Sequence, residues 1–173
     1  MNYTPRFLIG LALGILCWVN ALAAPDAKPG PEAEISAFYF VAGTPVITED
    51  GSKPIEKIKD GDKVWATEPL KRKSGYYKVA HIVPLVSNQL VEVATAGRDR
   101  IVCAPSQPFW VNQKGWVAAK TLFPGDQLLQ RDGTFVKVFN VIPQRGPKTP
   151  VYNLEVEGLP TSYVGKPGVL VQN

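Results

Sequence analysis

Histidine and cysteine are almost missing from this chain. Its 173 residues include one histidine, His81, and two cysteines, Cys17 and Cys103. A zinc site needs about three or four ligands, and no cluster of carboxylates makes up the number, so no metal and no other cofactor is expected. Cys17 lies in a leader, so Cys103 would be the only thiol of the mature chain, and no intramolecular disulfide is possible. The fold must then rest on its hydrophobic core, and Cys103, after Ile101-Val102 in a strand-like run, reads as a buried member of it. Uninterrupted helical windows are lacking too, because 16 prolines and 15 glycines punctuate the sequence. Strong charge is also missing. The formal charge of +4 falls to +3 without residues 1–23, where Arg6 is the single charged group, so no nucleic-acid partner is implied. The densest basic cluster, Lys71-Arg72-Lys73 beside Ser74-Gly75, reads as a solvated loop tip.

One long apolar stretch exists, and it is at the start. Arg6 precedes Phe7–Val19, and Ala21-Leu22-Ala23 supplies the small-x-small pattern of a signal peptidase site. Residues 1–23 are therefore expected to be a signal peptide cleaved after Ala23, with the mature protein periplasmic or extracellular and touching a membrane only in transit. The run barely reaches the roughly 18 to 20 residues of a bilayer span, and Asn20 ends it, which disfavours an uncleaved anchor. Leu16 is too bulky before Cys17 for a lipidation site. Residues 24–35, rich in Pro, Ala, Gly and charge, read as a flexible linker, and residues 36–173 as one domain.

Within that domain a fourteen-residue element occurs twice, Gly51–Val64 and Gly115–Leu128. Each copy carries an aliphatic (Ile58, Leu122), a Gly-Asp pair (Gly61-Asp62, Gly125-Asp126) and a second aliphatic two residues past the aspartate. Two copies are too few for a solenoid and predict two related halves about a pseudo-two-fold axis. Short β-branched and aromatic runs surround them: 38–41, 45–47, 63–66, 77–83, 90–95, 100–103, 109–111, 127–129, 135–141 and 151–156. Asp50-Gly51 and Asp132-Gly133 mark hairpin turns, and helix is limited to single turns at 54–58 and 118–122. The class is all-β.

Taken in order, several blocks resemble the Hint family, the fold shared by inteins, Hedgehog autoprocessing domains and bacterial polymorphic-toxin Hint modules. They are Phe40-Val41-Ala42-Gly43-Thr44-Pro45-Val46 with Glu49-Asp50-Gly51 and Pro54-Ile55-Glu56-Lys57-Ile58, then Pro108-Phe109-Trp110-Val111 with Gly115-Trp116-Val117, Val151–Val156, and Gly168–Asn173. Agreement of several blocks in order is more specific than one motif. The resemblance implies a pseudo-two-fold horseshoe of many short strands. It also implies a chemistry: a Cys or Ser at the first position attacks the preceding peptide carbonyl, a Thr and a His three residues later assist, and a penultimate His promotes cyclisation of a final Asn.

Carried over residue by residue, the nucleophile position is Tyr39, the Thr position Ala104, the His position Gln107 and the penultimate His Gln172; Asn173 alone is retained, and no peptide bond follows it in this sequence. A phenol is longer than a thiol and its pKa is about 10, alanine cannot donate, and glutamine exchanges no proton near neutral pH. The resemblance therefore implies a frame that has lost autoprocessing and acts as a binding or structural module for a protein or peptide partner, linked to a secreted toxin system. The competing expectation is residual self-cleavage at the N-terminal edge of the domain, at Tyr39 or with Cys103 as displaced nucleophile and His81 as base. Trp65, Trp110, Trp116, Phe109 and Tyr152 follow strand alternation and read as core, and Asp62 and Asp126 as turn caps.

Overall fold

The computed structural model describes residues 38–173. The expected signal peptide and linker lie outside the described residues. Twelve strands and two short 3₁₀ turns follow in chain order: β1 Phe40–Val41, β2 Pro45–Thr48, β3 Gly51–Pro54, a first 3₁₀ turn Ile55–Lys57, β4 Lys63–Glu68, β5 Lys73–Thr95, β6 Arg100–Cys103, β7 Pro108–Val111, β8 Gly115–Ala118, a second 3₁₀ turn Ala119–Thr121, β9 Gln127–Leu129, β10 Phe135–Val156, β11 Thr161–Val164 and β12 Val169–Gln172. The all-β expectation holds, and both single turns of helix fall inside the repeats, where the sequence places them.

The repeat is a structural duplication down to its hydrogen bonds. Gly61 N–H donates to Val79 O and Gly125 N–H to Val138 O, both at 2.8 Å; Val79 N–H and Val138 N–H return bonds of 2.7 Å to Asp62 O and Asp126 O. Ile58 N–H closes on Ile55 O and Leu122 N–H on Ala119 O, both at 3.2 Å. Gly61 and Gly125 hold φ of 89° and 96°, a left-handed backbone that a side chain would strain, which is why the pair must begin with glycine. Ile55, Ile58 and Val64 from one copy and Ala119, Leu122 and Leu128 from the other are all buried in one shared core with Val46, Phe109 and Val171. The halves differ at one hairpin. β2 and β3 are joined by Glu49-Asp50, whereas three residues, Asn112-Gln113-Lys114, join β7 and β8.

Two corrections to the sequence reading concern strand length and number. The runs 77–83 and 90–95 belong to one strand, β5, and 135–141 and 151–156 to another, β10, which pair antiparallel along most of their length. Pro84, Pro143 and Pro150 are interior to this ribbon, in register opposite Tyr152, Val91 and Val86. A long antiparallel ribbon tolerates a missing N–H where that edge faces no partner. The pairing slips between Arg145 and Thr149, and the Gly-Pro of that segment is absorbed as an irregularity. Strands β3, β8, β11 and β12 were not anticipated, because four-residue runs such as Gly115–Ala118 lack period-two alternation of their own.

Candidate functional site

Four backbone segments meet where the resemblance places the chemistry. β1 lies between β6 and β10, with Phe40 opposite Cys103 on one side and Tyr152 on the other. Just before it, Tyr39 O accepts from Ala104 N–H at 2.9 Å, and Ala104 O accepts from Gln107 N–H at 3.1 Å. Gln107, fully buried, sends its Nε2 2.6 Å to Gln172 O, the carbonyl of the peptide bond that leads into Asn173. Asn173 is held in turn by its N–H on Pro160 O at 2.9 Å and by Ser162 Oγ on its Oδ1 at 2.8 Å. Tyr39, Ala104, Gln107, Gln172 and Asn173 thus form one hydrogen-bonded chain, though 134 residues of sequence separate its ends (173 − 39).

Side chains at this centre do not converge as the backbone does. The Tyr39 phenol bonds Ser87 Oγ at 2.8 Å and Gln89 O at 3.3 Å, both on β5. Ala104 is buried and supplies no side-chain donor. Gln107 Oε1 and Asn173 Nδ2 are buried with no hydrogen-bond partner among the described residues. A cavity of about 330 Å³, bordered by Phe38, Asn153, Glu155, Pro160 and Asn173, opens where the chain enters beside its final asparagine.

A family model described as the pretoxin Hint domain matches residues 45–173. The chain belongs to that family. The solution structure of a bacterial intein-like domain from Clostridium thermocellum is 34% identical and superposes with a TM-score of 0.75, over 78% of this chain and 98% of that one. The gp41-1 intein, 21% identical, superposes with a TM-score of 0.65 over 79% and 99% of the two chains. A DnaB intein from Synechocystis sp. PCC 6803, 14% identical, gives 0.64 over 79% and 98%. These two likenesses concern the fold. No curated protein matches the chain.

The remaining sequence candidates of this pretoxin Hint domain are placed as follows. Cys103 is completely buried, its Sγ 3.8 Å from Val91 O, and burial pushes the thiol pKa far up, the reverse of an activated nucleophile. His81 is exposed on β5 and lies 3.2 Å from Asp60 Oδ2. His81 thus pairs with Asp60 at the surface, whereas Cys103 is sealed in the core opposite Val91 and Phe40. The structure does not bring Cys103 and His81 together. Among the described residues, no three His, Cys, Asp or Glu side chains cluster as a metal site would require.

Asp62 and Asp126 do cap turns. Asp62 Oδ2 accepts from Lys59 N–H and Asp126 Oδ2 from Phe123 N–H, each at 3.0 Å. Lys53 pairs with Asp62 at 2.8 Å, and Lys114, from the longer hairpin, takes the same role on Asp126 at 2.5 Å. Both carboxyls titrate below the ordinary aspartate range. At Asp62 the Lys53 bond is the largest cause; at Asp126 burial pushes upward most, and the Lys114 and Phe123 bonds with the lysine's charge outweigh it.

The aromatics divide between two core clusters. Phe109 is fully buried and Tyr152 packs on the main core, while Trp65, Trp110 and Trp116, half-buried, pack on a second core cluster of Ile47, Tyr163 and Leu170. Trp65 with Tyr76 and Trp110 with Trp116 are register partners across two hairpins, each pair edge-to-face. Alternation put these side chains on one face of their strands, and which face met the core was not in the local pattern. Ser87, Gln89 and Ser162, which position Tyr39 and Asn173, carry no sequence signal and were missed.

Proposed function

We propose that this pretoxin Hint domain is a non-catalytic module, exported with a toxin system, that binds a peptide or holds a structural place instead of cutting its own chain. The orientation of Tyr39 carries the reading. At the position of the family nucleophile, the one side-chain oxygen available is engaged with Ser87 Oγ and Gln89 O on a neighbouring strand. Two further observations favour it. Ala104 offers no hydroxyl, and the Gln107 carboxamide, which moves no proton near neutral pH, is spent on Gln172 O. Each general acid–base group is worth about a hundred-fold or more in rate, so these substitutions compound the loss of the nucleophile. Membership of the pretoxin family supports export and the toxin link, as does the leader-like start of the sequence.

The test is a reporter fused ahead of Ala37, with intact mass followed with and without added thiol. No release is expected. Release abolished by Cys103→Ala would overturn the reading and establish residual self-cleavage. Restoring Tyr39→Cys, Ala104→Thr and Gln107→His together should return cleavage if the frame is otherwise complete.

A further inference from the structure

A second surface lies beside the degenerate centre. Leu159, Pro160 and Gln172 border a groove of about 340 Å³ whose other walls are Pro69 and Leu70 at the β4–β5 turn and the Trp110/Trp116 pair. That volume falls within the roughly 300 to 1,000 Å³ of ligand sites. The two indoles stand edge-to-face with centroids 5.1 Å apart. Leu70 is 83% exposed and so is available to a ligand in the groove. β8, which carries Trp116, pairs with β7 alone among the described strands.

The groove's chemistry selects its occupant. Its surface is prolyl, leucyl and indole carbon, which suits proline rings stacked on tryptophan. Among its polar groups, the tryptophan indoles and the Gln172 carboxamide are of the kind that donate to carbonyls. The groove is lined by both indoles, and the Gln172 carboxamide on its wall carries two N–H donors and one carbonyl acceptor. A polyproline II segment presents carbonyls that its own backbone leaves unbonded, and it loses little entropy on binding. Charge sets the sign of the ligand. Glu68 on the groove wall is neutralised by Lys71 at 2.9 Å, and Arg72 and Lys73 follow it, exposed, at the hairpin tip. Glu68 is the one ionisable side chain lining the groove; with Lys71, Arg72 and Lys73 at the adjoining tip the formal charge sums to +2 (−1 + 3).

We infer that the groove between the Trp110/Trp116 pair and Pro69–Leu70 docks an extended, proline-rich acidic peptide from a partner protein. This rests on the non-catalytic binding reading and names its site, which is beside the former catalytic centre and reaches it through Gln172.

The probe is the synthetic peptide Glu-Pro-Pro-Glu-Pro-Pro-Glu, titrated into the purified protein at low salt by tryptophan fluorescence and calorimetry. The lysine-for-glutamate peptide and a Pro-to-Ala peptide serve as controls. Saturable one-to-one binding is expected, weakened about tenfold by Leu70→Ser or Arg72→Glu, both exposed positions that leave the fold intact. Absence of binding, equal binding of the lysine peptide, or unchanged affinity in both variants overturns the assignment. So does sedimentation showing Leu70-dependent self-association, which would make a second copy the occupant. Reporter release bears on the non-catalytic reading alone; failed peptide binding without release removes only the groove.

Discussion

Asp126→Ala tests whether the repeated Gly-Asp element is a structural device in both halves and which half depends on it more. Asp126 has 8% of its side chain exposed and accepts from Lys114 Nζ and Phe123 N–H; Asp62 makes the equivalent bonds with 24% exposed. A hydrogen bond to a charged group contributes about 1.5–3 kcal/mol, and the half-exposed Lys114 adds about 1 kcal/mol at most. Removing Asp126 also strands the Phe123 N–H in a part-buried turn. The expected loss is about 2–4 kcal/mol, against about 1–2 kcal/mol for Asp62→Ala, where water replaces the carboxylate more easily. For a domain of this size that lowers Tm by about 8–15 °C in the first variant and about half as much in the second. Urea unfolding followed by circular dichroism measures both. The pH dependence gives an independent check. Both carboxyls titrate lower folded than the unfolded value of about 3.9, so their contribution is full above that pH and is lost as pH falls through the folded-state values below it. Asp126→Asn keeps an oxygen for Phe123 N–H but removes the charge, so it should flatten this acid branch while retaining part of the cap. Equal losses in the two alanine variants, or an unchanged acid branch in Asp126→Asn, would refute the reasoning.

Three further outcomes are expected. Gly165→Ala should destabilise by at least about 2 kcal/mol in the same unfolding assay, because φ is +80° and the added methyl would meet Asp99 Oδ2 and Ile101 Cδ1, displacing the carboxylate that accepts from Lys166 N–H. Cys103 should resist a thiol-specific disulfide reagent at pH 8 in the native protein and react at once in denaturant, since burial both shields the thiol and raises its pKa; rapid native labelling would show the site to be open. Gln107→Ala should cost about 2–4 kcal/mol by leaving Gln172 O unpaired and a cavity behind, whereas Gln107→His should recover much of it if the ring nitrogen reaches the same carbonyl; equal losses by denaturation would show that the bond is unimportant.

Much of the frame was legible because its signals are local. A glycine at positive φ before an aspartate that caps its own turn, with aliphatics at fixed offsets, is the same physics wherever it occurs, and here it occurs twice with matching bond lengths. Family blocks around Phe40–Val46 and Pro108–Val111 likewise pointed to Tyr39, Ala104, Gln107, Gln172 and Asn173, which backbone bonds and the Gln107 carboxamide link. Strand ends were less legible. Pro84, Pro143 and Pro150 look like breaks in one dimension, and only the geometry of a paired ribbon makes them interior positions.

The sequence alone determined the all-β class, the duplicated half, the buried thiol and which groups stand at the positions the family resemblance assigns to chemistry, since each depends on residue type, spacing or turn chemistry within a few positions. Tertiary structure decided where the side chains point. It turned the Tyr39 phenol toward Ser87, committed Gln107 to Gln172 O across 65 residues, and set three tryptophans on a second core cluster apart from the main one. Those outcomes depend on which distant strands meet and on the register in which they pair, and no local pattern encodes the partner's side of a hydrogen bond.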